Sequence, residues 1–466
     1  MRPMPGGRQG SPVSDFRRAF LINLGSSTAG ALVQLALAMV LARLLTPAEL
    51  GRFAIAAALA GAAHALRDLG VFGYVQREAS LSRAQLAGCL GLSCLGNWGA
   101  ALLLLASGDH LLAILALGFL PLPLTGLIAA LMHRELAAAR LAAVARIGAG
   151  MHAAVALGLA WAGWGAYALA WAALANTLAC GVAYWAWRPS GLPLRPTRSH
   201  WPEILRLARG SVPAEALTAL NAALPSALLG RLGAPVLVGL FGRAQAAAGL
   251  PLALSGNALS FGALPRLARA HHAGDPLAAQ LDRASCLLSG ALWPLLAWIC
   301  IFGEPLIVVL FGAAWREAAT ALPWLAGIAA LQLLMRYDAA ALNAVGRPGA
   351  VAALQATALA LRASLCVLLF DGSLRSFAQA LLLAELALLP LQLRLRRPWG
   401  LGSWFGAWRL SLWTTAAAAL PALLVPQPLP GLIAGTLTWG LSLVLLGHPL
   451  AEEMYQLPRL FMTMRK

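Results

Sequence analysis

The strongest constraint on this chain is a succession of apolar stretches, each about as long as a bilayer is thick, separated by short basic or proline-rich junctions. A helix crossing the hydrocarbon core needs about 20 apolar residues, within a range of roughly 17–25. Cutting at charged, proline and glycine punctuation gives fourteen stretches: 16–44, 48–70, 82–106, 110–132, 137–162, 164–187, 206–232, 235–264, 276–302, 316–343, 347–370, 373–395, 403–425 and 429–447. In lipid every backbone N–H and C=O must be satisfied within the chain, so runs of this length read as helices. The expected class is an all-α integral membrane protein of about fourteen transmembrane helices. Stretches 110–132 and 429–447 are interrupted by proline or short, which leaves twelve as the alternative. The first run passes the signal-peptide-like Ala36-Leu37-Ala38 and continues to Leu45, so it reads as an uncleaved helix.

Charge supports that class. Only 11% of the residues are charged, against about a quarter in soluble domains. A net charge of +17 would suggest nucleic acid in a soluble chain, but here the arginines cluster in the junctions. The positive-inside rule accounts for them, and no nucleic-acid partner is expected. With the amino terminus in the cytoplasm, the even-numbered junctions and both termini collect most of the 34 basic residues, among them Arg195, Arg198, Arg206 and Arg209, then Arg394, Arg396 and Arg397. Both termini are therefore expected inside. The six cysteines lie within apolar runs and read as small core hydrophobes, and no metal site or cofactor is suggested. No soluble segment is long enough for a catalytic domain and no nucleophile elbow or phosphate loop occurs, so the chain does not read as an enzyme.

The sequence also repeats itself. ARLLTPAELGRF, from Ala42, returns in degenerate form as GRLGAPVLVGLF from Gly230, pairing Arg43 with Arg231, Pro47 with Pro235, Gly51 with Gly239 and Phe53 with Phe241 at one offset of 188 residues. Six helices separate the copies, so both enter the membrane in the same direction, and the repeat is parallel about an axis along the membrane normal. The expected organisation is an N-lobe over 1–187, a cytoplasmic linker over 188–205, a C-lobe over 206–398, and two additional helices with a tail over 399–466.

Helix 1 carries Asn23, Ser27, Gly30 and Gln34 at i, i+4, i+7 and i+11, one narrow stripe on an apolar helix. Helix 7 repeats it with Ser211, Glu215, Thr218 and either Asn221 or Ala222. Small polar residues also serve plain helix packing in membranes. Because the two stripes share the repeat register, they are expected to face each other across a central cavity, with Glu215 as an ion-coupling candidate. Four arginines, Arg146, Arg243, Arg336 and Arg362, lie within spans, where each costs about 2.5–3.5 kcal/mol at a helix centre. Snorkelling is the plain alternative for Arg146 and Arg243, and interface anchoring for Arg43. Arg336 shares a face with Gln332, and Arg362 one with Gln355, so these two are expected to face water. Asp338 cannot pair with Arg336 two residues away on one helix, and Glu385 stands alone in helix 12.

ARLLTPAELGRF, RDLGVFGYVQRE from Arg67, GAPVLVGLFGRA from Gly233 and VVLFGAAWREAATAL from Val308 together resemble the oligosaccharide flippases of the multidrug/oligosaccharidyl-lipid/polysaccharide exporter superfamily. The resemblance implies two six-helix lobes around a cationic cavity in a bacterial inner membrane. It also implies movement of undecaprenyl-pyrophosphate-linked oligosaccharide from the cytoplasmic to the periplasmic leaflet by alternating access, with H⁺ or Na⁺ as the coupling ion. Lys466 is the only lysine, and Phe241 stands where the family's second motif has Tyr. Arginine offers a pyrophosphate paired donors, and amides and hydroxyls suit a sugar. The candidate substrate-binding residues are Arg43, Arg146, Arg243, Arg336, Arg362, Asn23, Gln34 and Asn221. A multidrug or organic-cation antiporter of the same superfamily is the alternative; its cavity should be acidic. A non-transporting scaffold would need no polar stripes.

Overall fold

The computed structural model describes residues 30–454, apart from 68, 79, 190, 256–276, 397–403 and 426. Among the described residues the protein is all helix, without strands. The first unit contains α1 (Gly30–Leu44), α2 (Pro47–Leu66), the short α3 (Val71–Arg77), α4 (Arg83–Leu105), α5 (His110–Leu117), α6 (Leu122–Arg134), α7 (Ala138–Trp161) and α8 (Ala166–Ala186). The second contains α9 (Trp201–Leu232), α10 (Pro235–Ser255), α11 (Leu277–Ile301), α12 (Gly303–Phe311), a 3-10 segment (Ala313–Ala321), α13 (Leu322–Leu334), α14 (Asp338–Ala344), α15 (Pro348–Leu369) and α16 (Leu374–Arg396). Two further helices, α17 (Trp404–Leu424) and α18 (Pro428–Leu445), follow, and helix resumes at residues 449–454. Each of the fourteen apolar stretches thus holds helix. Nine described spans are long and apolar enough to cross a membrane, or ten if α5 and α6, bent by 48° at Pro121, form one.

The repeated motif marks the pseudo-two-fold axis. Thr46 and Glu49 close a capping box around the start of α2, with Pro47 in the first turn. One turn later Gly51 meets the second copy: a methyl there would lie 1.7 Å from the carbonyl oxygen of Pro235. Reciprocally, a methyl on Gly239 would lie 2.0 Å from the carbonyl oxygen of Pro47. Helices that cross this closely need residues without side chains at the crossing. Equivalent pairs pack alike on either side of the axis, α7 on α8 like α15 on α16, and α5 on α8 like α13 on α16.

The halves differ in one insertion. Four residues, 106–109, join α4 to α5, whereas α12 and the 3-10 segment lie between α11 and α13. That insertion packs into the C-lobe and reaches across to the other: Trp315 Nε1 donates to the carbonyl of Ala42 at 2.7 Å, and Arg43 to that of Val309 at 3.1 Å. These bonds and the glycine crossing lie at the end of the bundle opposite the 187–200 linker, called here the far face. At the linker face, Thr197 N–H bonds the carbonyl of Ala87 and Trp201 Nε1 that of Gly88, while Ile204 packs into the core around Val71 and Leu90. α17 and α18 pack on α11, where Trp439 donates to the Gly290 carbonyl and wholly buried His448 meets Ser411 at 3.1 Å.

Two buried carboxylates are paired inside the C-lobe. Asp338 accepts from Arg396 Nε at 2.7 Å, so the partner missing on its own helix comes from α16. Glu385 is not alone: it pairs with Arg362 and accepts from Gln332 at 2.7 Å.

Candidate functional site

Between the lobes lies a cavity of about 710 Å³, within the range of small-molecule sites. α1, α2, α7 and α8 line it from one lobe and α9 and α10 from the other. On α1 the stripe continues as Gln34, Leu37, Ala38 and Leu41; on α9 it is Ala219, Ala222, Ala223 and Ser226. Polar groups are few: Gln34, His152, Ser226 and Arg243. None of the described lining residues is acidic.

Arg243 is the distinctive one. It follows Gly239 by one helical turn, which sets it just beneath the crossing. It is 8% exposed, and its Nε has no hydrogen-bond partner. The guanidinium carbon lies 5.1 Å from the ring centre of Phe311 and 5.4 Å from that of Trp315. Aromatic faces attract a cation through their quadrupole, by about 2 kcal/mol or more when desolvated. The insertion thus supplies the shelf that holds a buried charge without neutralising it. At the equivalent position on α2 stands Ile55, which packs against Gly230.

The remaining candidates are distributed elsewhere. Gln34 is exposed into the cavity. Arg43 is exposed at the far face, on the Val309 carbonyl. Arg146 is exposed on α7. Arg336 and Gln332 line a separate 210 Å³ pocket inside the C-lobe. Arg362, expected to face water, instead joins Glu385 and donates to Asn221 Oδ1 at 2.9 Å; Asn221 in turn bonds Gln355. At the open choice on helix 7, therefore, Ala222 lines the cavity and Asn221 turns to α15. Glu215 is exposed one turn before Ala219, on the same stripe. Asn23 and Ser27, and with them the pairing of Ser27 and Glu215, lie outside the described residues.

His152, Ser226 and the Phe311–Trp315 shelf were not singled out from sequence. Continuing the helix 7 stripe one turn beyond Ala222 reaches Ser226, and the longer gap between stretches nine and ten marks the insertion. His152 carried no signal.

Among solved structures, the lipid II flippase MurJ in an inward closed conformation matches with a TM-score of 0.69 and 12% identity, over 90% of this chain and 98% of that one. An inward-facing multidrug resistance MATE family transporter of the MOP superfamily matches with a TM-score of 0.60 and 15% identity, over 79% and 94%. An outward-facing transporter of that kind gives 0.52 and 14%, over 82% and 95%. At these identities the likeness is one of fold. No curated protein sequence gives a significant match. The family described as polysaccharide biosynthesis protein matches residues 40–320, more than half of the chain and both copies of the repeated motif. With that match added to the two-lobed fold around a shared cavity, the chain belongs to the polysaccharide biosynthesis protein family and has the fold of the MOP superfamily.

Proposed function

We propose that this protein flips undecaprenyl-pyrophosphate-linked oligosaccharide from the cytoplasmic to the periplasmic leaflet of a bacterial inner membrane, for surface polysaccharide biosynthesis. Arg243 carries the reading: a buried, unneutralised cation in a lobe-interface cavity is a site waiting for an anion. A pyrophosphate supplies that anion, while Gln34, His152 and Ser226 can meet sugar hydroxyls. An organic-cation antiporter needs the opposite sign, and the described lining has no carboxylate to provide it. The arginines of the linker face support a cytoplasmic linker and cytoplasmic termini. On this reading 1–187 and 206–398 rock against each other about the glycine crossing, with 188–205 as their connection. Glu215 on the cavity stripe is the candidate for H⁺ or Na⁺ coupling.

The test is complementation of a flippase-deficient strain at matched protein level. Arg243→Gln keeps size but removes the fixed charge, forfeiting about the 1.5–3 kcal/mol of a charge-assisted hydrogen bond. Surface polysaccharide should fall sharply. Arg243→Lys should restore part of it, since an ammonium keeps charge without the planar fork. Unchanged export with Arg243→Gln would overturn the reading and favour the antiporter.

A further inference from the structure

At the far face the two lobes treat the same space differently. In the C-lobe the 3-10 segment fills the room bounded by α10, α13 and α16, and Trp315, Ala318 and Ala321 are wholly buried there. In the N-lobe no insertion exists, and the room between α2, α5 and α8 is a cavity of about 570 Å³. The lining residues differ accordingly. Glu49 and Arg52 line the open pocket, whereas the same repeat positions under the insertion are Leu237 and Leu240.

Water alone would account for polarity but not for the particular groups gathered here. Arg52 and His110 offer donors. The carboxylates of Glu49 and Asp109 hold the starts of α2 and α5 and retain acceptor capacity. Trp164 and Tyr167 also line the pocket, 51% and 41% exposed. Their neighbour Trp161, 85% exposed, has the position of an interfacial belt residue. Aromatic faces that stack on the apolar side of a sugar ring, beside ionic groups that bind its hydroxyls, make a saccharide site.

We infer that this pocket is a second binding site, which takes the saccharide head group of the lipid-linked substrate after it leaves the central cavity on the outer side. Arg52 meets its acidic or hydroxyl oxygens, and Trp164 and Tyr167 its ring faces. The inference rests on the flippase reading and on the far face being periplasmic.

The test places one cysteine, His110→Cys, in a background whose six cysteines are replaced by alanine, and measures its rate of labelling by a membrane-impermeant thiol reagent at the periplasmic side. Two strains are compared. One makes the lipid-linked oligosaccharide but lacks the polymerase and ligase that consume it; the other lacks the glycosyltransferase that starts it. Labelling should slow several-fold where substrate accumulates, and adding Arg52→Gln and Trp164→Ala should abolish that protection. Trp161→Cys, outside the pocket, should label equally in both strains. Equal rates at His110→Cys, no labelling in either strain, or matching protection of Trp161→Cys would each overturn the pocket. The flippase reading fails separately, through unchanged export with Arg243→Gln.

Discussion

The two lobes begin from one unit and part company a single helical turn past the crossing they share. In the N-lobe the residue after that turn is Ile55, packed on Gly230, and the space above it is open and lined by Glu49 and Arg52. In the C-lobe it is Arg243, the space is filled by the insertion, and the filling turns two aromatic faces toward the guanidinium. Symmetry gives the close crossing, and asymmetry gives one lobe an open polar pocket and the other a buried cation. A duplicated scaffold can hold a cavity on its axis, but only the lobe with the insertion has aromatic faces to hold a cation beside it.

The two lobes are most sensitive to substitution at the glycine crossing. Gly51→Val and Gly239→Val each drive a branched side chain into a backbone carbonyl that cannot move without parting the helices. Overpacking costs about 1–3 kcal/mol even where a core can yield, and more is expected here. Folded yield in detergent should collapse for either variant; wild-type yield would mean that the crossing is not the shared pivot.

Arg243 and Ile55 hold the same repeat position and can be exchanged. Arg243→Ile should abolish export, and adding Ile55→Arg should not bring it back, because only the C-lobe has Phe311 and Trp315 beneath the position. Recovery of surface polysaccharide in the double variant would show that charge anywhere on the axis suffices.

The lobes also differ in how they hold a second arginine. Arg362 is paired with Glu385, whereas Arg67 donates to the neutral Asn97 Oδ1 at 2.8 Å. Removing one member of a buried ion pair strands the other, so Arg362→Gln should cost about 3–5 kcal/mol in thermal unfolding, with most of it regained on adding Glu385→Gln. Arg67→Gln should cost less, about 1.5–3 kcal/mol. Equal losses would mean that Glu385 is not stabilised by Arg362.

The smallest contrast concerns helix starts. α8 has no side-chain cap, but Asp371 accepts from Ser373 N–H at 2.9 Å and Ser376 Oγ–H at 2.5 Å at the start of α16. The Ser376 and Ser373 hydrogen bonds hold the Asp371 carboxyl down to about 2. A carboxyl lowered in this way stabilises the fold above its usual value near 4, and the contribution fades as pH falls toward 2. Asp371→Asn should therefore lower the unfolding temperature slightly at pH 6, with the gap closing below pH 4. A gap independent of pH would rule out the carboxylate as its source.

How much of this was legible from residues alone follows their physical range. Pro47 and Gly51, with their partners 188 residues on, carried the pivot because a close crossing admits few residue types. The stripe through Gln34 pointed to the cavity because period 3.6 survives in any helix. Spacing within single helices sent Arg362 toward water, because its partners Glu385 and Asn221 stand on other helices. Glu385 looked isolated because its partner lies 23 residues away on another helix.

By itself, then, the sequence determined what a bilayer demands of any chain: which stretches are apolar helix, which junctions carry positive charge, and that two copies of one unit point the same way. Those are properties of single segments, fixed by length, hydropathy and repeat spacing. Only the tertiary structure decided which arginine stands unneutralised, since that depends on what each guanidinium meets across the lobe. Arg362 met Glu385, Arg396 met Asp338, Arg43 met a carbonyl, and Arg243 met two aromatic rings. A local signal cannot distinguish these fates, because a buried charge is paid for by partners that folding brings from far along the chain.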